Sequence, residues 1–188
     1  MAELRIASSE LVLGGQKSGK TARAEALAAA WLARSPSHRA VYVATAQAGD
    51  AEMRERIARH RRDRAQRVPR METVEEPLEL VRAIGDHSRP DTLVVVDCLT
   101  LWLTALLLPA AGGARPVPDD QLMARAVAAA AGPLVLVSNE IGQGVIPLGA
   151  EARAFVDALG RLNQQAALAC SRVCLMAAGL PLILKDEA

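Results

Sequence analysis

Gly14-Gly15-Gln16-Lys17-Ser18-Gly19-Lys20-Thr21 fits the pattern G-x-x-x-x-G-K-[ST], and the apolar stretch Leu11-Val12-Leu13 runs straight into it. A glycine-rich turn between a strand and a helix aims several backbone N–H groups, and the positive end of the helix, at one point. The ligand that suits such a point is a nucleotide phosphate. Each residue type in the pattern has a task. The glycines turn the backbone without a Cβ clash, Lys20 reaches the β- and γ-phosphates, and the Thr21 hydroxyl can ligate Mg2+. Shuffling this composition yields the pattern in only about 0.001 chains, so chance does not explain it.

Two other places hold groups that could act on a bound phosphate. Asp97 ends the apolar run Leu93-Val94-Val95-Val96, which is where the second acidic motif of nucleoside triphosphatases enters the Mg2+ shell. A helix could begin two residues later, so Asp97 equally suits an N-cap. Ser138-Asn139-Glu140 follows the expected strand 133–138 and falls beyond its carboxyl end, where open α/β sheets bind ligands. Glu140 is there a candidate base or orienter of metal-bound water, or else a capping residue in a surface loop. Asn139-Glu140-Ile141-Gly142 does not match the Asn-Lys-x-Asp with which small G-proteins read guanine, which disfavours a switch of that type.

Residues 51–70 concentrate positive charge. Eight arginines (54, 56, 59, 61, 62, 64, 67 and 70) stand against Glu52, Glu55 and Asp63, a local excess of five in a chain whose net charge is +1. On a helix, Met53, Ile57, His60 and Arg64 recur at i, i+4, i+7 and i+11, which sets His60 near the apolar face among guanidinium groups. A neutral imidazole is a nucleophile near pH 7, and arginine suits bidentate binding of phosphate. A solvated charged helix with an incidental histidine has the same spacing. His38 and His87 lie in polar loops next to prolines.

Around these groups the chain must build a scaffold. At 188 residues and 51% hydrophobic, it can bury one substantial core, so a single domain spanning 1–188 is expected. The near-zero net charge gives no global field for nucleic acid or a membrane surface. Aromatics at 2% cannot supply base-stacking platforms. The three cysteines, Cys98, Cys170 and Cys174, form no C-x-x-C pair, a reduced intracellular pattern, and Cys170 and Cys174 have no histidine nearby, which argues against zinc. Residues 1–10 hold no apolar h-region behind a basic start, so no secretory leader is expected, and the apolar run 99–111 is broken by Pro109 and is shorter than the ~20 residues of a membrane span. The expectation is a soluble cytoplasmic protein.

Short β-branched runs at 10–13, 40–45, 92–97, 133–138, 172–177 and 181–185 alternate with helical patterns near 20–33, 50–65, 77–86, 98–108, 119–131 and 150–169. That alternation predicts an α/β fold with a mainly parallel sheet. Residues 93–96 are apolar on both faces, as a central strand should be. Residues 110–118, rich in Gly and Pro, read as a surface loop. A tight connection at Gly179-Leu180-Pro181 predicts a hairpin that adds an antiparallel edge.

Together these pieces resemble the bifunctional adenosylcobinamide kinase / adenosylcobinamide-phosphate guanylyltransferase family of cobalamin biosynthesis. The likeness covers nearly the whole chain. It rests on the loop 14–21, on Tyr42-Val43-Ala44-Thr45-Ala46, on Met53 with His60 and Arg64, and on Asp97-Cys98-Leu99-Thr100. It continues in Ser138-Asn139-Glu140-Ile141-Gly142-Gln143-Gly144-Val145-Ile146-Pro147 and Gly160-Arg161-Leu162-Asn163-Gln164. The resemblance implies a P-loop NTPase of the RecA-like, three-layer kind with two activities. One moves the terminal phosphate of ATP or GTP to adenosylcobinamide. The other forms a GMP-histidine intermediate, by match at His60, and passes GMP to the adenosylcobinamide phosphate. It further implies nucleotide contacts at 14–21, Ala44, Thr45, Ala46, Arg61, Arg62, Asp63, Arg64, Glu75 and Asp97, Mg2+ at Thr21 and Asp97, and a homotrimer. Two departures stand out: the segment between Arg64 and Glu75 lacks the family's usual Arg-Pro-x-x-Trp-x-Thr-x-Glu, and Asp97 replaces a common Glu.

Overall fold

Residues 92–97, Thr-Leu-Val-Val-Val-Asp, form the strand around which the sheet is built, because every residue from Thr92 to Val96 is buried. A strand apolar on both faces has to be covered on both faces, which requires helices above and below the sheet. The computed structural model describes residues 4–47, 51–108, 119 and 121–187 and has that arrangement. The expected loop 110–118 lies outside the described residues, as does Asp50.

Along the chain the elements are β1 (Ser9–Gly14), α1 (Lys20–Arg34), β2 (Arg39–Ala44), α2 (Ala51–Arg67), β3 (Met71–Glu75), α3 (Leu80–His87) and β4 (Thr92–Asp97). They continue with α4 (Leu99–Leu107), α5 (Leu122–Ala128), β5 (Leu134–Val137), α6 (Ala150–Ala169), β6 (Arg172–Ala177) and β7 (Leu180–Asp186). The sheet has seven strands in the order β3-β2-β4-β5-β1-β6-β7. Among the described strands only β6 and β7 pair antiparallel. Strand alternation divides the buried side chains into two layers. Leu11, Leu13, Val94, Val96, Leu134 and Leu136 pack with residues of α3, α4, α5 and α6. Val12, Tyr42, Leu93, Val95 and Val137 pack with α1 and with Val68 and Met71 beyond α2.

Two details depart from the sequence reading. β3 is a strand that the sequence pattern did not announce, since Met71-Glu72-Thr73-Val74-Glu75 has two acids in five residues and occupies the sheet edge. The hairpin turn is centred on Ala178 and Gly179, with φ of 51° and 80°, so the connection falls before Leu180 and Pro181 sits inside β7 opposite Met176. Both turn residues at positive φ match the twist of the flanking strands.

Candidate active site

β1 ends where the glycine loop begins, and the loop leads into α1 with Gly19 as N-cap and no side chain capping the first turn. Those first-turn N–H groups therefore face the loop's concave side. Gly14 has φ of 148°, and a Cβ there would stand 2.5 Å from Met176 O and 2.5 Å from Ser18 Oγ. Gly19 has φ of 104°, and its Cβ would press on Gly179 Cα at 3.2 Å. The β6–β7 hairpin thus supports the loop directly, and Gly179 N donates to Ser18 O at 2.9 Å. Lys20 Nζ donates to Gly15 O at 2.7 Å. Burial lowers its pKa below the usual lysine value, with Cys98 and Asp97 acting in the opposite direction.

β2 and β4 are paired so that Ala44 lies opposite Asp97 and Tyr42 opposite Val95, which puts Tyr42 diagonal to Asp97 on one face. Tyr42 Oη donates to Asp97 Oδ2, and Thr21 Oγ1 donates to that same oxygen at 3.2 Å. Burial, then the Asp97 charge, holds the Tyr42 phenol well above its usual pKa, so it stays a donor. The helix after β4 takes Cys98 as N-cap with no side-chain cap bond, so the Asp97 carboxylate is not spent as a cap.

α2 closes the opposite wall. His60, Ile57, Arg61 and Arg64 line one cavity of about 440 Å³ with Gln16, Lys17, Lys20, Thr21, Tyr42, Ala44, Ala46, Thr73, Glu75, Asp97, Asn139 and Ile141. The helical spacing does bring His60 and Arg64 to one side, and that side faces the phosphate loop. Four of the eight arginines in 51–70 are committed within the protein. Arg64 is buried with its guanidinium 3.7 Å from the Tyr42 ring centroid, Arg61 pairs with Glu75 at 3.0 Å, and Arg67 pairs with Glu25 at 2.6 Å. Arg70 donates to the carbonyls of Leu32, Pro36 and His38. His38 stacks on Trp31 with its ring 3.8 Å away.

Not every expected residue reaches the cavity. Thr45 is fully buried, and its hydroxyl accepts from Cys98 N at 2.7 Å and donates to Cys98 O at 2.8 Å. Arg62 and Asp63 lie outside the lining. Glu140 stands on the other side of its strand extension, where its carboxylate accepts from Gly142 N at 2.8 Å and lines a separate hollow against α6. The carboxylate thus points away from the cavity, while Glu140 N donates to Gly14 O of the phosphate loop at 3.1 Å. Its neighbours Asn139 and Ile141 line the cavity instead. The sequence reading gave no task to Tyr42 and Thr73. The signal was present in the register, since a lone tyrosine two residues before the strand end points the same way as the strand-terminal Asp next to it.

A parallel sheet whose β1 turns through a glycine loop into a helix, with an acid ending β4 beside that loop, defines a P-loop phosphoryl-transfer enzyme. Residues 10–184 match the family described as CobU, cobinamide kinase / cobinamide phosphate guanyltransferase, and the chain belongs to that family. It is 45% identical over 179 residues to the bifunctional adenosylcobalamin biosynthesis protein CobP of Pseudomonas aeruginosa, covering 95% of this chain and 98% of that one. It is 36% identical to the Escherichia coli protein named bifunctional adenosylcobalamin biosynthesis protein CobU and 33% identical to that of Salmonella typhimurium, each across 93% of this chain and 98% of the relative.

Proposed function

We propose that this enzyme phosphorylates adenosylcobinamide with ATP or GTP and then, through a guanylylated His60, transfers GMP from GTP to give adenosylcobinamide-GDP. The observation that carries this reading is the shared cavity, in which His60 on α2 faces Lys20, Thr21 and Asp97 across the phosphate loop. In the first transfer, the substrate hydroxyl oxygen attacks the γ-phosphorus and loses its proton to water, the bond to the β–γ bridging oxygen breaks, and the nucleoside diphosphate leaves. Lys20 is placed to offset charge on the transferring group. In the second, a ring nitrogen of His60 attacks the α-phosphorus of GTP, and pyrophosphate departs. A phosphate oxygen of adenosylcobinamide phosphate then attacks the same phosphorus, the N–P bond breaks, and His60 is restored.

The donor set fits Mg2+. Thr21 and Asp97 bring two hard oxygens within 3.2 Å of each other, and among the described residues no cluster of three or more His, Cys, Asp or Glu forms a closed cage. Mg2+ takes few protein ligands and completes its shell with phosphates and water, so Thr21 and Asp97 would hold it against the triphosphate, where it would neutralise charge. Among the described residues no helix is long and apolar enough to cross a membrane. The three thiols are free, which supports a reducing cytoplasm. Leu168, Leu180, Leu182 and Leu184 stay exposed and offer apolar surface for a homotrimer to cover.

Incubation with GTP and Mg2+ tests the second activity. The wild type should gain one GMP by intact mass, acid-labile and base-stable, and His60→Ala should gain none while still phosphorylating adenosylcobinamide. An unmodified wild type would leave a plain P-loop kinase.

A further inference from the structure

Tyr42 is the only tyrosine in the sequence, it is 4% exposed, and its contacts belong to different parts of the site. Its hydroxyl donates to Asp97 Oδ2, the oxygen that also receives Thr21 Oγ1. Two hydroxyl donors on one oxygen fix the plane of a carboxylate whose terminal torsion is otherwise soft. Its ring carries the Arg64 guanidinium, and that guanidinium donates through Nε and Nη2 to Thr73 Oγ1 at 3.3 and 3.2 Å. Thr73 lies directly opposite Tyr42 on β3. Arg64 follows His60 by four residues on α2, so the two share a helix face. One buried side chain thus touches the carboxylate beside the phosphate loop and the cation that seats the helix of His60.

We propose that Tyr42 is a positioning residue that joins the two transfers: its hydroxyl orients Asp97 toward the triphosphate, and its ring seats Arg64 and thereby the helix carrying His60. The ring half rests on the reading of His60 as the guanylylated residue. By the same geometry Arg64 is an anchor of α2. Its bonds to Thr73 use two of the five N–H donors of a guanidinium, so the anchoring leaves donors for a phosphate in the cavity that Arg64 lines. Arg67, held by buried Glu25 of α1, is a second anchor one turn further on.

Two substitutions separate the hydroxyl from the ring. Tyr42→Phe keeps the ring and removes the donor. Because hydrogen bonds to charged groups are the strong ones, the gain in GTP affinity on adding Mg2+ should shrink about tenfold, while affinity in EDTA stays unchanged. Its guanylylation rate at saturating Mg2+ should stay within about twofold of wild type, since the cation–π seat survives. Tyr42→Leu removes the seat as well. Guanylylation should then fall about fivefold below the Phe variant, with faster hydrogen exchange along α2 in the nucleotide-free protein and no further loss of phosphorylation. Wild-type Mg2+ dependence in Tyr42→Phe overturns the role of the hydroxyl. Equal guanylylation in the Phe and Leu variants, or parallel losses of both activities that track the unfolding midpoint, overturn the role of the ring. A wild type that takes up no GMP refutes the His60 reading and the ring half with it, and the Mg2+ increment in GTP affinity still decides the hydroxyl half.

Discussion

Replacing Thr45 by valine tests whether that residue is a nucleotide ligand or a structural clasp. Valine matches the shape of threonine, so packing at this fully buried position is kept. What disappears is the hydroxyl, which receives Cys98 N–H at 2.7 Å and donates to Cys98 O at 2.8 Å. The carbonyl keeps another partner in Trp102 N at 3.1 Å. The N–H is left buried and unpaired, a loss of about 1–3 kcal/mol, to which the vanished donor bond adds about 1 kcal/mol. About 3 kcal/mol in a chain of 188 residues corresponds to a fall of about 6–12 °C in the unfolding midpoint. Thermal unfolding followed by far-UV circular dichroism measures it, with Thr45→Ser as the control that retains the clasp. Because Asp97 is adjacent to the loosened peptide, Mg2+-dependent GTP affinity should also weaken in the valine variant and recover in the serine one. A valine variant with wild-type thermal stability and lost GTP affinity would refute the clasp and make Thr45 a direct ligand.

Gly14→Ala should lower both stability and GTP affinity, because the new Cβ meets Met176 O at 2.5 Å at a φ of 148°, a conformation that costs a non-glycine residue about 1–3 kcal/mol. Calorimetric titration with GTP showing wild-type affinity would contradict that geometry. The thiols supply a pH test. Burial, with Asp97 next, raises the Cys98 pKa from 9.0 to about 11, and burial raises that of Cys170 to about 12. A thiol held protonated in the fold contributes stability that is complete below pH 9.0 and declines as the unfolded chain ionises above it. The unfolding midpoint should fall between pH 9 and 10.5, less steeply in Cys98→Ala, and native protein at pH 8 should resist a thiol reagent that labels all three cysteines in urea.

Much of the fold was legible because its signals are local. The phosphate loop, the both-sided apolar run of β4 and the alternation of strands with helices each identify themselves within a few residues. β3 did not, since an edge strand of five residues with Glu72 and Glu75 has too little apolar pattern to separate it from the connection after α2. At the site, the sequence supplied the cast but not the pairings. The excess of arginine around His60 reads as a phosphate-binding field, yet Arg64, Arg67 and Arg70 are anchored to a phenol, a buried carboxylate and backbone carbonyls contributed by distant segments. Long side chains choose partners through tertiary proximity, which residue spacing does not contain. Glu140 is a similar case, because it lies beyond the end of β5 at Val137, where no strand period tells which side its carboxylate takes.

The contact between the β6–β7 hairpin and the phosphate loop bears on the order in which the enzyme becomes competent during synthesis. The loop leaves the ribosome well before the residues that shape it, Met176 and Gly179, because β2 through β5 are made in between. A nascent chain holding β1 through β5 has the loop's letters without the surface that folds them. Contacts between such distant segments close late, so the phosphate loop gains its full support only once the β6–β7 hairpin docks.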